Sequence, residues 1–185
     1  MKLRDKKSNL KIYDNFLSDK VHKIIHDRLS ADNFPWFYSY VINPEWGNPS
    51  CDIKDNWQLQ HTFYMEAQPT NYCPNAFQIV LPILDKINCA TLYKVKANLN
   101  PRASEIIKHG FHSDTDNLGF ECVTAIYYVN TNNGYTEFED GTKVESIANR
   151  LITFDSPTKH TGTTCTDQRG RSVINFNYPS LYYDK

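Results

Sequence analysis

Basic clusters are missing beyond "RDKK" at residues 4–7, and the formal net charge is −1. Binding to a phosphate backbone needs a concentrated basic face, so the charge pattern gives a nucleic-acid partner no support. Paired cysteines are missing too. The five that occur, at positions 51, 73, 89, 122 and 165, are odd in number and widely spaced, with no CxxC. A disulfide framework or a thiolate zinc centre is therefore not expected, whereas reduced thiols in a cytoplasm are. No run approaches the ~18 apolar residues of a membrane span, and the opening "MKLRDKKSNLKIYDNF" carries no apolar signal-peptide segment. The expectation is a soluble, cytoplasmic protein without a membrane partner. Repeats, low-complexity segments and Pro/Gly/Ser-rich linkers are also absent, so residues 1–185 are expected to form one domain.

What the chain does have is aromatic and β-prone. Twelve Tyr and ten Phe favour a β-rich globule over disorder. "LSDKVHKIIHDRLS" places Leu17, Val21, Ile24, Ile25 and Leu29 on a helical stripe, with Ser18 or Asp19 as N-cap. A second helix is expected in "PNAFQIVLPILDKIN", where Pro82 either bends it or marks its true start. Residues 32–72, with Trp36, Trp46 and Trp57, read as strands and long loops. After residue 90 come short β-type runs: "ATLYKVKANL", "CVTAIYYVN", "YTEFED", "NRLITFD" and "RSVINFNYP", separated by turn residues. Helices followed by many antiparallel strands imply an α+β fold with a sandwich or barrel sheet.

The stretch "KHGFHSDTDN" at 108–117 concentrates metal-capable side chains. In an extended strand residues i and i+2 share a face, so His112 and Asp114 can aim at one ion while Ser113 points away. A solvated turn produces the same pattern. His160 follows "LITFDSPTK", a strand running into a turn from which it can fold back over the sheet; an ordinary turn histidine is the alternative. In "RSVINFNYP", Arg171, Val173, Asn175 and Asn177 alternate with Ser172, Ile174, Phe176 and Tyr178. If the first set faces solvent it needs no explanation; if it faces the interior, a buried Arg requires an anionic partner. Two imidazoles and a carboxylate suit ferrous iron and leave open positions on it. A guanidinium matches a carboxylate bidentately, which fits a clamp for a dicarboxylate.

The order HxD, then His, then Arg resembles the Fe(II)/2-oxoglutarate-dependent dioxygenases, and most of all their prolyl-4-hydroxylase-like branch. "CVTAIYYVN" followed by "NGYTEFEDG" is similar to that branch's central strands, and "KHTGTTCTDQRGRSVINFNY" to its closing segment. The resemblance covers residues 90–180, with a fainter likeness at "IYDNFLS". It implies a double-stranded β-helix, or jelly roll, over 90–180, supported by helices and loops over 1–89. It further implies His112, Asp114 and His160 as iron ligands and Arg171 as the residue binding the distal carboxylate of 2-oxoglutarate. Tyr128 would hydrogen-bond the same carboxylate; Ile126 shares its face, Tyr127 packs outward, and Thr136 and Asn175 line the co-substrate pocket. The implied reaction uses Fe(II), 2-oxoglutarate and O2 to hydroxylate an unactivated C–H bond, with release of succinate and CO2. Whether ascorbate is needed stays open, as does the oligomeric state.

Two departures from the prolyl-hydroxylase pattern stand out. Asn100 in "NLNPR" replaces a Tyr before Pro, and Asn177 stands where a bulky aromatic can occur, which implies a wider or more polar substrate side. A prolyl or related residue in a peptide or protein is the favoured substrate, with a free amino acid or small-molecule metabolite as alternative. A non-catalytic jelly-roll binding module and a zinc hydrolase are the competing functions; the hydrolase lacks an evident extra general base. Among neighbouring groups, Arg169 is the rival of Arg171 but sits in a turn, and Asp116 is the rival of Asp114. His109 is expected in a second shell or loop, His61 on a strand surface, and His22 and His26 on a solvated helix face.

Overall fold

The computed structural model describes residues 9–45, 47–65, 68–70, 73, 75–89, 91–114 and 121–179. The N-terminal half contributes strand β1 (Lys11–Tyr13), helix α1 (Asp19–Leu29), strands β2 (Phe37–Tyr40), β3 (Trp57–Met65) and β4 (Gln68–Pro69), and helix α2 (Leu81–Lys86). Strands β5 (Lys94–Pro101), β6 (Cys122–Tyr128), β7 (Tyr135–Phe138) and β8 (Lys143–Glu145) follow. The chain closes with β9 (Leu151–Asp155), β10 (His160–Gly162) and β11 (Gly170–Pro179). The larger sheet runs β1-β9-β6-β11-β5-β3-β2 with β4 beside β3, the smaller one β10-β7-β8, and every pairing is antiparallel. This is the α+β jelly roll that the motifs imply.

Alternation along the central strands creates two cores. Val95, Ala97, Ala125, Tyr127, Ile174 and Phe176 point outward, where Ile25 and Leu29 of α1 and Ile83 and Leu84 of α2 cover them. Ile126, Tyr128, Val173 and Ile152 point inward and meet Phe138 and Val144 of the smaller sheet. Ser18 caps α1 by accepting from the Val21 amide. Ile24, expected on the buried stripe, is 53% exposed, because the stripe that meets the sheet is narrow and centred on Ile25 and Leu29. In the second helical segment a single 3-10 turn (Ala76–Ile79) precedes α2, and Pro82 lies in the first turn, so the proline marks a start rather than a bend. Strands β1, β8 and β10 are too short to leave a pattern in the sequence.

His22 does not lie on a solvated face as expected. Its Nδ1 is 2.7 Å from the Tyr127 hydroxyl, which donates to Asn149 Oδ1 at 3.0 Å. With that proton committed, the imidazole must donate through Nδ1. Asn149 in turn accepts from the Leu17 amide and donates to the Leu17 carbonyl, both at 2.8 Å, from a left-handed backbone at φ 62°. One buried amide thus ties the entry of α1 to the sheet. We expect Asn149→Ala to lose all three side-chain bonds and strain the backbone, lowering stability by about 2–3 kcal/mol. In a thermal melt that corresponds to a drop of roughly 4–12 °C for a chain of this size.

Candidate active site

The inner face of β11 sets the site, and pairing on both sides fixes what stands beside each residue. Arg171 is opposite Asn100 of β5; Val173 lies between Tyr128 of β6 and Asn98; Asn175 lies between Ile126 and Lys96; Asn177 lies between Thr124 and Lys94. Directly paired residues share a face, so these rows line one wall. The cavity in front of it holds about 60 Å³, several times the ~10–15 Å³ that one water needs. Arg171, Ile126, Thr136, Asn175, His112, Asp114 and His160 all line it. A larger recess, about 300 Å³, opens beside β1 and β9, but it contains none of these groups, so the chemistry belongs to the smaller cavity.

His112 and Asp114 sit on the segment leading toward β6, and a bridge of backbone hydrogen bonds between His112 and His160 at 2.9–3.0 Å brings that segment against β10. One ligand atom from each of His112, Asp114 and His160 lies within 4.8 Å of the others, and His160 Nε2 is 4.0 Å from Asp114 Oδ2. Neighbouring ligands bound to one ion at about 2.1 Å stand about 3.0–3.4 Å apart, so a contraction of about an ångström would close the set. Both rings are pre-set for it. The Nδ1 of His160 faces the Thr158 carbonyl at 3.1 Å and that of His112 faces the Gly110 carbonyl at 3.3 Å, which leaves each Nε2 free. The edge of Phe154 packs on His160 with ring centroids 4.8 Å apart.

Charge fits the same use. Burial and the neighbouring His160 push His112 down to about 4, so the ring is neutral and its lone pair available near pH 7. Burial alone would raise Asp114, but the His160, Lys94 and His112 charges and the Asn177 hydrogen bond outweigh it and hold the carboxyl below its usual range. Asp114 Oδ2 accepts from the Thr124 hydroxyl and the Asn177 amide, each at 3.0 Å. Asn177 therefore braces the Asp114 carboxylate instead of widening a substrate channel, as its position in the motif had suggested. Asp116 lies outside the described residues.

Arg171 is 2% exposed, which settles the face of β11 in favour of the interior. Its Nε donates to Ser146 Oγ at 2.8 Å and its Nη2 to Thr136 Oγ1 at 2.9 Å. Tyr128 donates to the same Thr136 oxygen at 2.8 Å and places its ring 5.6 Å from the guanidinium carbon. With both lone pairs of Thr136 taken, its own proton is left for a ligand. Gly134 is required for this arrangement, because a Cβ there would stand 2.6 Å from the Thr164 carbonyl and 2.8 Å from Arg171 Cδ. The rival Arg169 is exposed in its turn.

Other residues depart from expectation or were missed. His109 is fully buried and lines the cavity with His112, whereas strict alternation would put them on opposite sides. Gly110, at φ 134°, breaks the alternation and turns both rings inward. His61 is buried, not on a surface: it packs between Phe34 and Phe63 with Nδ1 2.9 Å from the Pro35 carbonyl. Ser146, Thr124, Lys96 and Asn98 were not singled out. For Thr124 the signal was present, since it shares parity with Ile126 and Tyr128; Ser146 had none. Lys96 lines the cavity, and burial together with Lys94 lowers its ammonium to about 8.

No family model matches the sequence, and no curated protein matches it. Solved structures match it in fold. A prolyl hydroxylase from Trichoplax adhaerens, solved in complex with a hypoxia inducible factor oxygen degradation domain peptide fragment, is 16% identical, with 92% of this chain and 83% of that one covered and a TM-score of 0.62. A Pseudomonas putida prolyl-4-hydroxylase is 16% identical over 95% of both chains with a TM-score of 0.53. A 2OG-Fe(II) oxygenase family oxidoreductase from Burkholderia pseudomallei is 13% identical over 91% of this chain and 84% of that one, at 0.61. At these identities the likeness is one of architecture: the chain has the jelly-roll fold of prolyl hydroxylases and 2OG-Fe(II) oxygenases.

Proposed function

We propose that the protein is an Fe(II)- and 2-oxoglutarate-dependent oxygenase that hydroxylates an unactivated C–H bond. One observation carries this reading: a His-Asp-His set and a buried, pre-oriented guanidinium open into the same small cavity. A structural metal site has no use for the second group. Two imidazoles and one carboxylate are the donor set that suits ferrous iron. His112, Asp114 and His160 hold the ion, and Thr124 and Asn177 orient its carboxylate ligand. Arg171 binds the distal carboxylate of 2-oxoglutarate, with Thr136 donating its free proton and Tyr128 fixing Thr136; Ile126 and Asn175 form the walls. When bound, iron with 2-oxoglutarate and O2 supplies the oxidising power, and the co-substrate leaves as succinate and CO2. The protein's share is orientation and exclusion of water.

The chain works as one domain, residues 1–89 bracing the site carried by 90–180. No helix among the described residues is long and apolar enough to cross a membrane, and the free cysteines suit a cytoplasmic setting. A prolyl or related peptide residue as substrate is supported by exposed Phe37, Tyr38 and Tyr40 on edge strand β2, which leads into Val41 on the cavity wall. The peptide-bound Trichoplax neighbour supports it as well. A second reading, a free amino acid or small metabolite, is favoured by the hydrogen-bonding wall of β5.

Under anaerobic conditions Fe(II) plus 2-oxoglutarate should produce a weak visible charge-transfer band, and in air the mixture should yield succinate. A binding module or a zinc hydrolase gives neither. Replacing His112, Asp114 or His160 by Ala should abolish Fe(II) binding and leave the melting of the metal-free protein nearly unchanged. Asn177→Ala should weaken Fe(II) by about 10–100-fold through loss of its hold on Asp114. Arg171→Met should keep iron but weaken 2-oxoglutarate by roughly tenfold to a hundredfold in an anaerobic titration of that band. Arg169→Met should match wild type; the opposite outcome would transfer the clamp to the turn.

A further inference from the structure

The cavity offers more hydrogen-bonding and charge capacity than a metal and a dicarboxylate consume. Asn98 Oδ1 and Asn175 Oδ1 are buried acceptors with no partner among the described residues, and both residues line the cavity. Buried polar groups are rarely left so, since each unmade bond costs about 1–3 kcal/mol. Lys96 lies among them. It is half-buried, and among the described residues its ammonium makes no hydrogen bond or close ion pair, though the Asp114 carboxylate attracts it. Asp114, the one acidic group among the described cavity residues, already accepts from Thr124 and Asn177.

Charge balance shows what is left over. A divalent ion and Asp114 together carry a single positive charge, which one carboxylate of 2-oxoglutarate offsets. Arg171 offsets the other. Lys96, half-buried at the cavity wall, then has only Asp114 as an attracting charge, and the ion already engages that carboxylate. Position separates it from the clamp as well. Lys96 stands four residues along β5 from Asn100, which faces Arg171, so the two cations enter the cavity about 13 Å apart at ~3.3 Å per residue. Lys96 flanks the metal ligands; Arg171 marks the far end. A neutral prolyl ring would meet this wall with nothing to pair the ammonium or the amides.

Building on the oxygenase reading, we propose that Lys96 anchors a carboxylate of the primary substrate while Asn98 Oδ1 and Asn175 Oδ1 accept from its N–H or O–H groups, so that the substrate is a compact acidic or zwitterionic molecule with a carboxylate close to the hydroxylated carbon. A free amino acid presents that group, and so does an acidic residue in a peptide; the chemistry recognised is the same.

The test is anaerobic calorimetry on the protein loaded with Fe(II) and 2-oxoglutarate, so that binding is read without turnover. The probes are free L-amino acids, the corresponding amino acid amides, short peptides containing Asp or Glu, and neutral proline-rich peptides. We expect at least one carboxylate-bearing probe to bind, and its amide counterpart to bind roughly tenfold to a hundredfold more weakly. Lys96→Met should erase that difference and Lys96→Arg should keep much of it, with 2-oxoglutarate affinity holding within about twofold in both. Free amino acids against acidic peptides tells which source supplies the carboxylate. The comparison of acid with amide in the wild-type protein stands even if a variant folds poorly. The proposal is overturned if no carboxylate probe binds, if neutral proline-rich peptides bind equally well to wild type and Lys96→Met, or if Lys96→Met weakens 2-oxoglutarate itself tenfold or more. The last result would assign Lys96 to the co-substrate. Failure of the charge-transfer band to form at all sinks the oxygenase reading instead, and is recorded before any probe is added.

Discussion

Strand β11 lies between β5 and β6, so the side chains from Val173 to Asn177 are enclosed on one face of the sheet or the other. Ile174 and Phe176 enter the outer core under the helices. Arg171, Val173, Asn175 and Asn177 have no choice but the cavity. A guanidinium fixed there must be satisfied, and much of the local architecture follows from that demand. Ser146, Thr136 and the ring of Tyr128 surround it, and Gly134 stays free of a side chain so that the Arg171 stem can pass. Those contacts fix the head group at the cavity, and a group that is already oriented loses little entropy on binding a partner.

The second buried charge, Asp114, is handled differently. Two neutral donors, Thr124 and Asn177, hold one of its oxygens, and Thr124 is itself 2.8 Å from Ser156. Two histidines converge from separate segments because their backbones bridge, and each ring is turned by a carbonyl behind it. Neither arrangement gives the best hydrophobic packing. Together they form a set of donors that a cation would complete, which is the kind of local cost that functional sites retain.

On the outer face, Tyr127 and Tyr128 illustrate how one dipeptide serves two compartments. Tyr127 closes the outer core and bonds Asn149, which grips the start of α1; Tyr128 faces the opposite way and reaches Thr136. The β5 wall has the same duality: Val95 and Ala97 pack outward, while Lys96 and Asn98 present polar groups to the cavity that His112, Asp114 and His160 line.

Alternation in "RSVINFNYP" and "CVTAIYYVN" made the two faces legible in the sequence, because a strand's period of two is a local property. The helix stripe and the proline that opens α2 were legible for the same reason. The order HxD, His, Arg identified which residues to bring together, although nothing local placed Arg171 inside instead of outside. Tertiary structure decided the rest. Whether a face is buried depends on which sheet covers it; Gly110 turned His109 inward against its parity; and Asn149 reached across 132 residues to Leu17. Asn177, Thr124 and Ser146 acquired their partners only when strands distant in the chain paired. The sequence by itself determined the periodic pattern and the chemical types available. The convergence of those groups on one cavity was set by strand pairing, because hydrogen-bond partners and burial are properties of the assembled sheets.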